Sequence, residues 1–199
     1  TGCDEGSLNL LFTYDGNTAD FDRTIAEDIE LYLYDGQGKK IDERHIPYEN
    51  IKGGKPYPLE LPYSGNAYLV AWTLTGDEDI KKVSPALFDD ENYATARFSM
   101  SEHTTRGASS YNGSIQELFL KSMAFTQNPQ ENRTLNVDVR KQLCSISVTI
   151  EEGGNFATQY PGILSMAIYG SSYSYNVAED KQNGGRIVIE DSFSYMESS

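Results

Sequence analysis

The residue whose type and place most suggest chemistry is Cys3, in the run Thr1-Gly2-Cys3-Asp4-Glu5-Gly6-Ser7. A small residue ahead of a thiol, with acidic and small residues behind it, is what remains of a bacterial lipidation site once its apolar leader is gone. Cys3 is therefore expected to carry lipid rather than to pack. With Thr1 and Gly2 still ahead of it, Cys3 has no free α-amine, and this chain is expected to be the unacylated form. No stretch approaches the ~20 apolar residues of a spanning helix, so lipid on Cys3 is the expected contact with a membrane.

Other chemistry is sparse. The second cysteine, Cys144, lies in Leu143-Cys144-Ser145-Ile146-Ser147-Val148-Thr149-Ile150. Period-two alternation puts it on the apolar face with Ile146, Val148 and Ile150, as a small buried hydrophobe rather than a disulfide partner. His45 and His103 have no second ligand at metal spacing, and both are expected to be solvent-exposed. The acidic clusters Asp77-Glu78-Asp79 and Asp89-Asp90-Glu91 lack the spaced oxygen pattern of a calcium loop and read as solvated faces. No nucleophile elbow, phosphate loop or zinc-protease motif occurs, so no catalytic residue, metal or cofactor is expected. The sequons at Asn112 and Asn132 read as chance. Tyr169, Tyr173, Tyr175 and Tyr195 cluster late in the chain. They are either ordinary strand residues or an exposed aromatic surface for a glycan or a protein.

Net charge is −14, from 30 acids against 16 bases in 199 residues. That excludes a phosphate-binding footprint and hence nucleic acid as a partner. Aromatic content of 12%, with 14 tyrosines, indicates a packed chain rather than a disordered one.

The elements that must position these residues are almost all strands. Ser7–Tyr14 alternates and ends in the turn signal Asp15-Gly16-Asn17; Thr24–Asp28 suits a short helical turn. Ile29–Tyr34, Asp35-Gly36-Gln37-Gly38 and Lys39–Ile46 read as a hairpin whose polar second strand lies at an edge. Tyr57–Leu61 is a short strand. Ala67–Leu74, the most apolar segment and the one holding the only Trp, belongs in a sheet centre. Residues 76–116 read as a long polar connection with one strand at Ala94–Met100. Asn128–Arg133 reads as a linker, Leu135, Val137 and Val139 as a strand, and Asn183-Gly184-Gly185 as a hairpin turn after a strand pair within Gly162–Tyr175. Many short strands between turn signals suggest a sandwich.

Several segments taken in order resemble the FimB-type fimbrial anchor and minor-subunit lipoprotein family of the Bacteroidales. They are the lipoprotein-like start, Leu10–Tyr14, Asp28-Ile29-Glu30-Leu31-Tyr32-Leu33-Tyr34-Asp35-Gly36-Gln37-Gly38, Leu59-Glu60-Leu61-Pro62 and Tyr68-Leu69-Val70-Ala71-Trp72. Glu117-Leu118-Phe119-Leu120 is a further echo. The resemblance implies an all-β protein of two transthyretin-like Greek-key β-sandwich domains in series. The expected divisions are a tail over 1–7, a first domain over 8–128, a linker over 129–133 and a short second domain over 134–199. It further implies a non-catalytic anchor or accessory subunit of a fimbria, attached to the outer membrane at the cell surface through lipid on Cys3. Fimbrial shaft or minor subunits are the implied partners. At roughly 65 residues the second domain is small for a core of its own, and it is expected to take a donor strand from a partner. The alternative expectation is a surface glycan-binding lipoprotein using exposed Tyr169, Tyr173 and Tyr175; a hydrolase is the remote third.

Overall fold

The structure is a computed structural model that describes residues 6–61, 63–75, 86–100, 103–105, 108–112, 117–142 and 163–194. Cys3, the Cys144 strand and Tyr195 lie outside the described residues.

The first sheet holds seven strands: β1 (Leu8–Tyr14), β2 (Ile29–Asp35), β3 (Lys40–Ile46), β4 (Tyr57–Leu59), β5 (Gly65–Thr75), β10 (Glu117–Gln127) and β11 (Arg133–Lys141). Their order is β3-β2-β5-β10-β11-β1-β4. The alternation read in the sequence is what lets this sheet curl around one core. Leu8, Leu10 and Phe12 of β1, Ile29, Leu31 and Leu33 of β2, Leu69 and Ala71 of β5, and Leu135, Val137 and Val139 of β11 all point inward and are buried. Each such Leu, Ile, Val or Phe side chain contributes roughly 1.5–3 kcal/mol when fully removed from water.

A short helix, α1 (Thr18–Thr24), closes one end of that core. The turn before it has Asp15 and Gly16 at φ 48° and 77°, and the Asn17 side chain then accepts the Ala19 N–H as N-cap. Phe21 of α1 is buried between Phe12 and Tyr48. The helix thus lies earlier in the chain than the helical turn expected at Thr24–Asp28, because the cap sits at Asn17.

The second sheet holds six strands: β6 (Ala86–Asp89), β7 (Arg97–Met100), β8 (His103–Thr105), β9 (Ala108–Asn112), β12 (Ile163–Asn176) and β13 (Lys181–Ser194), in the order β6-β7-β12-β13-β9-β8. The all-β expectation is met. Strand pairing, however, crosses the expected boundary at 134: β11 belongs to the sheet of β1, and the strands within 86–112 belong to the sheet of β12 and β13. Alternation reveals a strand's buried face but not its neighbour, so sequence order was a poor guide to partition. Asn128–Arg133 is correspondingly a tight connection between β10 and β11, with the Glu131 N–H donating to the Asn128 carbonyl at 3.1 Å.

Two further expectations are corrected. The segment from Gly162 to Tyr175 was expected to hold a strand pair; over Ile163–Asn176 it is one strand, β12. The turn into β13 is at Val177–Asp180, where Asp180 takes φ 54°, not at Asn183-Gly184-Gly185. The two glycines instead fall where pairing steps from Ser172↔Arg186 to Ser174↔Asn183, a bulge inside the hairpin. Glycine suits a bulge and a turn for the same backbone reason, which makes the two alike in sequence.

Candidate functional site: the N-terminal attachment and the seam between sheets

Immediately after the cysteine-bearing tail, the chain is tied into the fold. The Gly6 N–H donates to the Pro129 carbonyl at 2.7 Å, and the Arg133 N–H donates to the Ser7 carbonyl at 2.8 Å. The Ser7 N–H and hydroxyl both reach Oδ1 of Asn132, at 2.8 and 3.1 Å. Glycine is required here by close approach: a Cβ on Gly6 would lie 2.5 Å from the Glu131 carbonyl oxygen. From this point β1 runs parallel to β11 in unbroken register, Leu8↔Arg133 to Tyr14↔Val139, with β4 on its other side. At the far end Asp138 accepts from the Thr13 hydroxyl at 2.9 Å and the Gly16 N–H at 2.8 Å, and holds Arg140 through Nε at 3.1 Å. Burial alone would raise the Asp138 pKa; these donors outweigh it and hold the carboxyl below its usual range.

The second feature is an aromatic seam. Many outward residues of β2, β5 and β10 are covered by the second sheet and the segment before it. Tyr32, Tyr34, Tyr68, Val70, Trp72, Leu118 and Leu120 pack against Phe88, Tyr93, Ala96, Phe98, Tyr175 and Val177. Trp72 meets Phe98 edge to face at 5.1 Å and stacks on Tyr32 at 6.5 Å; Tyr68 stacks on Tyr93 at 4.3 Å. Both faces of β5 are therefore buried, as its uninterrupted apolar run requires. Burial, with the carboxylates of Glu30, Asp90 and Glu43, pushes the Tyr32 phenol up to about 12. Polar contacts pin the seam's border. The Tyr93 N–H donates to the Gly38 carbonyl at 2.8 Å, Lys40 Nζ reaches Asp90 at 2.5 Å, and the Asn176 amide donates to the Ala94 carbonyl at 3.1 Å. Residues 92–96, expected to be loop or strand start, are thus the bridge that places the second sheet on the first.

His45 is solvent-exposed, as expected, but it is not without partners. Its side chain is 56% exposed, and its ring spans two carboxylates: Nδ1 lies 2.6 Å from Glu30 and Nε2 3.0 Å from Asp28. Asp28 also accepts the Tyr48 N–H at 2.7 Å. Both ring nitrogens face acceptors, so the doubly protonated ring satisfies the site, and the Glu30 hydrogen bond is the largest cause of its raised pKa. Sequence spacing missed this because Glu30 and His45 meet by cross-strand pairing. Among the described residues no three His, Cys, Asp or Glu side chains are grouped to hold a metal ion.

The two late tyrosines whose side chains are described, Tyr169 and Tyr175, do not share a platform. Tyr169 is 76% exposed, whereas Tyr175 packs into the seam and its phenol donates to Asp180. The side chain of Tyr173 lies outside the described residues. A polar cleft of about 240 Å³ opens where Arg140 of β11 and Gln142 just after it lie near Tyr175 of β12 and Asp180 in the turn that follows. Its carboxylates are already engaged, Asp138 by Thr13, Gly16 and Arg140, and Asp180 by Tyr175.

Several solved structures share this fold. A candidate polysaccharide-binding protein of Bacteroides thetaiotaomicron superposes with TM-score 0.64 at 14% identity, covering 92% of this chain and 64% of that one. A candidate adhesin of Bacteroides ovatus gives 0.64 at 13%, covering 92% and 62%. A candidate adhesin of Bacteroides thetaiotaomicron gives 0.58 at 13%, covering 100% and 74%. The chain thus spans less than two thirds of the length of the first two. At these identities the likeness is one of fold. No match to a curated protein sequence was found. The model of the fimbrillin-A associated anchor proteins Mfa1 and Mfa2 matches residues 1–190, nearly the whole chain that forms both sheets and the seam, and the protein belongs to that family.

Proposed function

We propose that the protein is a non-catalytic, cell-surface lipoprotein that serves as an anchor or accessory subunit of a fimbria. Lipid on Cys3 holds it in the outer membrane, and shaft or minor subunits are its partners. The family match over residues 1–190 carries this reading. The tie between Gly6–Ser7 and residues 129–133 supports it, since a tether ahead of Gly6 would enter the fold at a fixed point. The second sheet ends in the short strands β6 and β8, which have no further neighbour among the described residues. An open strand edge is a template for strand addition, so donor-strand pairing with a partner subunit is the mode we assign. The separate environments of Tyr169 and Tyr175 favour assembly over a flat glycan-stacking surface.

Two measurements test the reading. Intact mass of protein purified from native outer membranes should show a lipid-bearing chain that begins at Cys3; an unmodified thiol there removes the anchor. Capture with the native lipoprotein should recover fimbrial shaft or minor subunits. Failure to recover any, alongside measurable polysaccharide binding, would replace assembly with glycan recognition.

A further inference from the structure

We propose that the parallel pair β1–β11 is a shear clamp that carries tension from the N-terminal tether into the rest of the fold. This deepens the anchor reading and rests on it for the source of the tension. In a parallel pair, the N-terminal end of one strand and the C-terminal end of the other lie at opposite ends of the ladder. A tether pulls β1 from its N-terminal end, ahead of Leu8. The chain leaves β11 at its C-terminal end, Lys141, and goes on to β12 and β13 of the second sheet. Tension between those two points runs along the strands and loads the whole Leu8–Tyr14 ladder at once. A pull between ends that lie side by side would instead open the ladder one bond at a time.

Sliding is opposed at every point along β1. Leu8, Leu10 and Phe12 are keyed into the core at 3%, 0% and 2% exposure. A slip of one residue would turn Asn9, Leu11 and Thr13 toward that core, so no neighbouring register is available. β4 grips the other edge through Leu8↔Leu59 to Leu10↔Tyr57. Asp138 bolts the far end through the Thr13 hydroxyl and the Gly16 amide. The near end must first be freed from Pro129 and Asn132.

Single-molecule pulling separates the two geometries. One derivative carries handles at the N-terminus and at position Arg140, near the end of β11. The other carries them at Asp15, in the turn after β1, and at Arg140. Forced unfolding follows the barrier along the pulled coordinate rather than overall stability, so both derivatives can be matched by chemical denaturation beforehand. The N-terminal geometry should rupture at several-fold higher force, and Leu10→Ala should lower that force far more than the force for the Asp15 geometry. Equal rupture forces in the two geometries, or a lower force from the N-terminus, overturn the clamp. The result needs no lipid: the clamp can fail while Cys3 is acylated in native membranes, and the lipid can be absent while the clamp holds.

Discussion

Gly6 and Glu131 are in backbone contact: no side chain fits at Gly6, because its Cβ would fall 2.5 Å from the Glu131 carbonyl oxygen. Gly6→Ala is therefore expected to detach the segment before β1 rather than to compress it. The hydrogen bond from Arg133 N–H to Ser7 should be lost with it, at a cost of about 1 kcal/mol. Hydrogen exchange reads this out directly: the Arg133 amide should exchange faster while amides of β2 and β5 keep their protection.

The seam should behave as a core. Phe98 is 4% exposed and touches both Trp72 and Phe88. Phe98→Ala should destabilise by about 3–5 kcal/mol, measured by urea denaturation. Trp72, the only tryptophan, reports on the same place, and its emission should shift to the red in the folded variant as water reaches the indole.

His45 makes a prediction of definite sign. Its folded pKa is raised by Glu30 and Asp28, so its contribution to stability is complete below the unfolded value near 6.5 and is lost as pH rises through the higher folded value. The wild type should lose stability relative to His45→Gln across that window, and less so at high salt because the ring is half-exposed. An NMR titration of His45 should fall back toward the ordinary value in Glu30→Gln.

Asp138 gives the opposite sign. Its folded pKa is lowered by the Gly16 amide, the Thr13 hydroxyl and Arg140, so its stabilisation is present above the unfolded value of about 3.9 and lost as pH falls below it. Asp138→Asn should flatten the acid limb of a stability-versus-pH curve and leave the limb around His45 unchanged.

The ion pair between Lys40 and Asp90 joins β3 to the segment after β6, and both side chains are partly exposed, at 32% and 23%. Asp90→Asn should cost no more than about 1 kcal/mol, diminishing with salt. A larger loss, measured by denaturation at low and high ionic strength, would show that the seam depends on this pair rather than on its aromatic rings.

Much of the first sheet was legible because its cues are local. The Asp35-Gly36 turn forecast the β2–β3 hairpin, the polar character of Lys39–Ile46 forecast an edge, and the apolar segment Ala67–Leu74 forecast a strand at the sheet centre. The second sheet was less legible. β7 falls inside the strand expected at Ala94–Met100, but β6, β8 and β9 are only three to five residues long and lie in a stretch that reads as a polar connection, with β6 and β8 pairing only through β7 and β9. Tertiary pairing overrides propensity at that length. The His45 cluster and the Gly6–Glu131 contact were invisible to spacing rules, since each joins residues brought together by register alone.

The pairing of β1 with β11 also sets an order of events during synthesis. β1 precedes every other strand of the two sheets in the chain, yet its parallel neighbour begins at Arg133, and Ser7 and Asn132 are separated by 125 positions. Until that neighbour arrives, Leu8, Leu10 and Phe12 have only the short β4 beside them. Long-range pairing of this kind forms late and leaves an apolar strand unpartnered in the growing chain. β1 therefore stays half-partnered until β11 has been made, and gains its second ladder only as the first sheet is completed.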